Sequence, residues 1–234
     1  MEIVLIGRGR LATNLMPALQ QAGHDVTSIN SRTLEALPME ADVFIISVKD
    51  SALAEVIDRA TKGREDQLFV HTAGSMPVSL FEGHTRRYGV FYPMQTFSKE
   101  RLVDFAEIPL FIEGDDPPIS QLAQTVSRHV YPLSTADRKY LHLSAVFACN
   151  FVNHCYALAA EQLERCGLPF SVMLPLIDET ARKVHELHPL EAQTGPAVRY
   201  DENVIRMQSA LLADTPQVRD LYDCLSVSIH HHSK

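Results

Sequence analysis

The sequence has no block of basic residues, no long apolar run free of polar interruption, no internal repeat and no low-complexity tract. Each absence excludes a class of protein. With a formal net charge of -8 and no cationic stretch to neutralise successive phosphates, a nucleic-acid partner is not expected. The longest apolar-rich stretch, Leu141 to Leu163, is broken by Asn150, Asn153, His154, Glu161 and Gln162, and reads as a protein helix and not as a membrane span. No basic-then-apolar segment precedes the first strand, so no targeting peptide is expected and the cytoplasm is the expected location. Cysteine is scarce: Cys149, Cys155, Cys166 and Cys224 lack metal or redox spacing and read as small buried hydrophobes, with no disulfide framework. The terminal His230, His231 and His232 are given no function.

What is present begins at the first residues. MEIVLIGRGRLA places a glycine-rich turn between a short β-branched apolar run, Glu2 to Ile6, and a segment from Leu11 to Ala22 with apolar residues at helical spacing. Gly7, Gly9 and Ala12 form the G-x-G-x-x-A version of the dinucleotide fingerprint. The first glycine permits the tight turn, the second lets backbone approach a pyrophosphate, and the small third residue lets helix pack on strand. The free N–H groups and positive dipole end of the helix attract phosphates, so Gly7, Arg8, Gly9, Arg10, Leu11 and Ala12 are cofactor-binding candidates.

Gly23 suits a helix C-terminus, and His24 to Ile29 alternates into a second strand ending at Asn30, Ser31, Arg32 and Thr33. NAD sites place an acid here to bind ribose hydroxyls, whereas NADP sites use an arginine for the 2′-phosphate. No acid closes this strand, and the guanidinium of Arg32 with the hydroxyls of Ser31 and Thr33 suits a phosphate. The cofactor expected is therefore NADP. Further strands are expected over Asp42 to Val48, Leu68 to His71, Gly89 to Tyr92, Ile108 to Glu113 and His129 to Leu133, with helices over Ser51 to Ala60 and from Pro117 to Arg128. Strands alternating with helices predict a doubly wound, mostly parallel α/β sheet whose ligands sit beyond the strands' carboxyl ends. Ser47, Val48, Lys49, His71, Thr72, Ala73, Gly74 and Ser75 then share a crevice with Gly7 and Gly9, and Gln95 and Thr96 of YPMQTF point toward it, Gln95 as a substrate contact.

Past Ser134 only helical patterns remain, over Ser134 to Arg165, Pro169 to Leu187, Asp201 to Ala213 and Pro216 to His230. Two domains are expected: a dinucleotide-binding α/β domain over residues 1–133 and an all-α domain over 134–234. The helix from Asp137 to Leu163 is apolar almost all round, as a helix buried on several sides is. Its exceptions are Lys139, His142, Asn150 and Asn153. At 100° per residue they fall near about 0°, 300°, 20° and 320°, on one face, with His154 beside them. Two readings stand: a catalytic face, with Lys139 or His142 as proton donor and Asn150 or Asn153 orienting substrate, or an interdomain hydrogen-bond network without chemistry.

Two other constellations are weaker. His185-Glu186-Leu187-His188 is one residue short of the zinc-protease spacing, so no metal is expected there. In TGPAVRYD, Asp201 reads as a helix N-cap and Arg199 either as a plain turn residue or as a partner for a substrate carboxylate.

With Gly7, Gly9, Ala12, the Asn30 to Thr33 turn, YPMQTF and TGPAVRYD together, the chain resembles, over essentially its full length, the bacterial Rossmann-like proteins described as NADP oxidoreductases, which carry a C-terminal helical domain akin to that of 6-phosphogluconate dehydrogenases. It is also similar to pyrroline-5-carboxylate reductase and the deazaflavin-dependent NADP oxidoreductases. The resemblance implies an NADP-dependent oxidoreductase that dimerises through its helical domain. It departs from the β-hydroxyacid dehydrogenase pattern of a catalytic lysine four residues before an asparagine, because Leu143 follows Lys139 at that spacing. The expected activity is hydride transfer to or from a small carbonyl, imine or hydroxy acid in an interdomain cleft. The competing expectation is a dinucleotide-binding sensor or scaffold without turnover.

Overall fold

The computed structural model describes residues 1–233 and divides into two compact units, Met1–Phe151 and Val152–Lys234. The first holds seven strands: β1 (Glu2–Ile6), β2 (Asp25–Ile29), β3 (Val43–Ile46), β4 (Leu68–His71), β5 (Arg87–Pro93), β6 (Leu110–Glu113) and β7 (Val130–Pro132). They form one sheet in the order β2-β1-β3-β4-β5-β6-β7. All neighbours are parallel except β5 and β6. The doubly wound, mostly parallel sheet read from the strand-helix alternation is thus the one observed. Chain order reverses between β1 and β3, the switch point beyond whose strand ends ligands bind in such sheets.

Side-chain alternation explains the layers. Ile3, Leu5, Val43, Ile45 and Val70 face helices α1 (Arg10–Gln21) and α3 (Pro117–Val126), while Val4, Ile6, Phe44, Ile46 and Phe69 face α2 (Asp50–Thr61). With both faces covered, β1, β3 and β4 are buried along almost their whole length, which is why they read as continuous apolar runs. Gly23, at φ +84°, ends α1, and Pro117 and Pro118 occupy the first turn of α3.

The chain then enters a 30-residue helix, Thr135–Glu164, made of α4 (Thr135–Ala145), a π-helical turn (Val146–Phe151) and α5 (Val152–Glu164). The first compact unit reaches Phe151, beyond the boundary at residue 133 expected from the loss of strand pattern. The cause is that α4 is pinned to the sheet. Arg138, 1% exposed, pairs with Glu113 at the end of β6 and donates to the Met76 carbonyl at 2.7 Å, and Glu113 also accepts from the Thr135 amide and hydroxyl at 2.8 and 2.7 Å.

The second unit contains α5, α6 (Leu174–Glu186), α7 (Pro189–Ala192), α8 (Pro196–Arg199), α9 (Glu202–Ala210) and α10 (Pro216–His232). Three sequence expectations are corrected here. The long helix is not buried on several sides within one chain: Tyr140, Leu143, Phe147 and Phe151 are all exposed. Cys155, Cys166 and Cys224 are exposed and not core residues, because few side chains in this unit are buried. Asp201 stands at the N-cap of α9 but its side chain caps nothing. By length and composition Thr135–Glu164 is long and apolar enough to cross a membrane.

Candidate functional site

The turn between β1 and α1 is built by steric exclusion. Gly7 sits at φ +129°, and a Cβ there would overlap the Ser47 carbonyl. Its amide donates to Ile29 O at 2.9 Å while the Ser47 amide donates to Ile6 O at 2.8 Å, so the ends of β1, β2 and β3 are held together. Gly9 is the opposite case: at φ -77° any residue would fit, and a Cβ would meet nothing within 4 Å. It is the N-cap of the twelve-residue α1, with no side-chain cap and no acidic residue in the first turn. Open space therefore faces uncapped N–H groups and the positive end of a helix dipole, with no local carboxylate competing for them. Arg8 and Arg10 are exposed beside this opening, Leu11 is half-buried, and Ala12 is packed in the core.

At the end of β2 the chain turns through Asn30–Thr33. The Thr33 amide donates to Asn30 O at 3.1 Å and the Arg32 amide to Asn30 Oδ1 at 3.0 Å. This Asx turn leaves the side chains of Arg32 and Thr33 exposed, with Ser31 half-buried. Arg59, which the sequence did not single out, reaches back from α2 to donate to Arg32 O at 3.4 Å, placing a second guanidinium by the turn. Across the switch point, Ser47 is buried, Val48 packs against the core, and exposed Lys49 is the N-cap of α2.

The loop after β4 is the fourth wall. Thr72 and Gly74 are buried and Ala73 half-buried, and Ser75 donates to Asp50 Oδ2 at 2.8 Å. His71 does not line the crevice: it is fully buried, stacked on Phe81 at 5.7 Å, with Nδ1 accepting from the Ala73 amide at 3.2 Å. Burial, then the nearby Arg138 charge, lowers its pKa to about 4, so the ring is neutral.

Beside the fingerprint helix lies a crevice of about 620 Å³ whose walls include Arg10, Tyr92, Gln95, Thr96, His142 and Asn150. Its geometry follows from α4. Ser134 is the N-cap of α4, its hydroxyl accepting from the Asp137 amide at 3.2 Å and donating to the Asp137 carboxylate at 2.7 Å. Arg138 one turn later is locked by Glu113 and Met76. His142, a further turn on, consequently faces β5, where Tyr92 Oη lies 3.0 Å from its Nδ1. Burial pushes the Glu113 carboxyl up, but hydrogen bonds from Arg138 and Thr135 outweigh it and hold the pKa below the usual value.

The single polar face expected for Lys139, His142, Asn150 and Asn153 is corrected by the π turn. A turn closed i to i+5 inserts one residue and rotates everything after it by about 100°. His142 and Asn150 are brought onto one side and both line the crevice, whereas Lys139 is exposed and not among the lining residues. Asn153 and Arg199 belong to the second unit, both exposed, Arg199 ending the four-residue α8. Gln95 lines the crevice, its side-chain carbonyl accepting from the Thr96 amide at 2.8 Å.

A mostly parallel sheet with an open glycine turn at its switch point defines a nucleotide-binding protein of the Rossmann class followed by a helical region. The chain belongs to the family described as a domain of unknown function, DUF2520, which matches residues 108–229. It is 52% identical, over 98% of both chains and with a TM-score of 0.92, to BF3122 of Bacteroides fragilis, whose structure is provisionally assigned as an NADP oxidoreductase. Protein TM1727 of Thermotoga maritima shares the fold at 20% identity over 99% of this chain and 98% of that one, with a TM-score of 0.73. An imine reductase of Myxococcus stipitatus, in complex with NADP+, shares it at 17% identity over 99% and 93%, with a TM-score of 0.68. Comparison with curated proteins finds no match.

Proposed function

We propose that this protein is an NADP(H)-dependent oxidoreductase acting on a small carbonyl, imine or hydroxy-acid substrate. The observation that carries the reading is the uncapped N-terminus of α1 over the open space at Gly9, flanked by a β2 turn with Arg32 and no acid. Gly7, Arg8, Gly9, Arg10, Leu11 and Ala12 form the pyrophosphate cradle. Asn30, Ser31, Arg32 and Thr33 hold the 2′-phosphate end, a guanidinium being shaped for bidentate contact with it. Ser47, Val48, Lys49, Thr72, Ala73 and Gly74 wall the path toward the crevice. The relative from B. fragilis supports the same cofactor class.

When bound, NADPH supplies a hydride to the carbonyl or imine carbon, and solvent supplies the proton that completes the alcohol or amine. The chain's part is positional and electrostatic. His142 and Asn150 offer hydrogen bonds to the atom on which charge develops, and Gln95 offers a further amide for the substrate. Among the described residues no carboxylate lines the crevice, so a neutral or anionic substrate meets no repulsion from them there.

A second copy of the chain is the proposed partner. Tyr140, Leu143, Phe147, Phe151 and Val152 of the long helix are all exposed, a patch that a soluble chain covers by association. Light scattering after size exclusion is expected to give twice the 26.2 kDa chain mass. A detergent-free monomer, or recovery only in the membrane fraction, would refute this.

The functional test is a screen of small imines, ketones and hydroxy acids for NADPH oxidation or NADP+ reduction. Turnover of at least one class is expected. A silent panel with NADPH still raising the melting temperature would favour the sensor reading.

A further inference from the structure

Tyr92 is the penultimate residue of β5 and is 8% exposed, yet it carries a hydroxyl that must find a partner. Among the described residues that partner is His142 Nδ1 at 3.0 Å, the two rings meeting edge-on at 71°. Gly74 roofs the contact: a Cβ there would collide with His142 Nδ1 and stand 2.9 Å from Tyr92 Cζ. The bond is therefore sealed on that side by backbone. Arg138, anchored one turn earlier, fixes the helix that presents His142. The other ring nitrogen, Nε2, has no protein partner among the described residues and belongs to a side chain that lines the crevice.

A buried phenol with one acceptor in reach donates to it. Burial also raises the Tyr92 pKa above that of an ordinary tyrosine, so the hydroxyl keeps its proton. With Nδ1 accepting, neutral His142 carries its own proton on Nε2.

We infer that Tyr92 is a positioning residue that sets the tautomer of His142, so that His142 Nε2–H is the hydrogen-bond donor offered to the oxygen or nitrogen of the substrate. This rests on the reductase reading. A neutral imidazole donor stabilises charge developing on a carbonyl oxygen or imine nitrogen without itself giving up its proton. Gly74 belongs to the same device, because any larger residue would drive the two rings apart.

The test begins without a substrate. In nitrogen-15 NMR of the full-length wild-type protein, with His142 assigned by the loss of its signals in His142→Gln, the neutral ring is expected to show the Nε2–H pattern. Tyr92→Phe is expected to shift it toward a mixture of tautomers. A wild-type Nδ1–H pattern, or one that Tyr92→Phe leaves unchanged, would overturn the inference. The wild-type spectrum decides alone if the variant does not fold. For a substrate found in the screen, Tyr92→Phe is expected to lower kcat about tenfold with KM for NADPH unchanged; a fall in NADPH binding alone would count against the assignment. NADPH stabilisation of the wild-type protein is measured in parallel. Its absence would refute the cofactor reading while leaving the tautomer result to be judged separately.

Discussion

Gly7 and Ser47 touch so closely that no side chain fits between them: a Cβ on Gly7 would lie 2.0 Å from the Ser47 carbonyl oxygen. Two turns of chain, after β1 and after β3, are thereby locked at the switch point of the sheet. A Cβ on Gly9, two residues on, would meet nothing within 4 Å. The two glycines consequently fail in different ways. Gly7→Ala is expected to destabilise the fold by about 2 to 4 kcal/mol through overlap and a positive φ. Gly9→Ala is expected to leave the melting temperature nearly unchanged while weakening NADPH at least about tenfold. Thermal unfolding with and without NADPH separates them.

Arg32 offers its guanidinium freely at the β2 turn. A charged hydrogen bond to phosphate contributes about 1.5 to 3 kcal/mol, so Arg32→Ala is expected to reduce NADPH affinity about 10- to 100-fold and leave NADH affinity unchanged. Arg59→Ala is expected to have a smaller effect of the same sign, since Glu55 already shares that guanidinium at 3.4 Å. Loss of both cofactors equally would place the adenosine phosphate elsewhere.

Arg138 is buried with Glu113 as its partner. Removing one member strands the other's charge, so Arg138→Met is expected to cost about 3 to 5 kcal/mol in denaturant unfolding, and Glu113→Gln in the same chain to recover part of it. A double variant that loses the sum of the two single losses would mean the pair is not coupled.

His71 gives the protein a defined acid response. Its folded pKa lies at about 4 against an ordinary 6.5, so between these values the unfolded chain binds the proton and the folded one does not. Stability from this group is complete above pH 6.5 and is lost as pH falls toward 4, by about 3 kcal/mol in all. His71→Asn, which retains an acceptor for the Ala73 amide, is expected to flatten that part of the stability curve. An unchanged slope would assign the response to other groups.

How much of this was legible follows the range of the interactions. Gly7, Gly9 and Ala12 declare themselves because turn, helix start and strand are contiguous, and the continuous apolar runs of β1, β3 and β4 report a sheet covered on both sides. Tyr92 was passed over because its partner His142 is fifty residues away in sequence. Arg138 carries no local sign of its burial, because its partner Glu113 is twenty-five residues away in sequence. The π turn defeated the arithmetic of the polar stripe, since a fixed 100° per residue assumes an unbroken α-helix. The exposed cysteines show the same limit, because residue type alone does not report burial.

The most direct measurement is calorimetric titration of NADPH and of NADH into the purified wild-type chain. The account predicts one NADPH site per chain, at least about tenfold tighter than NADH, the difference expected of a guanidinium on the 2′-phosphate. Equal affinities, a preference for NADH, or no binding of either would contradict it.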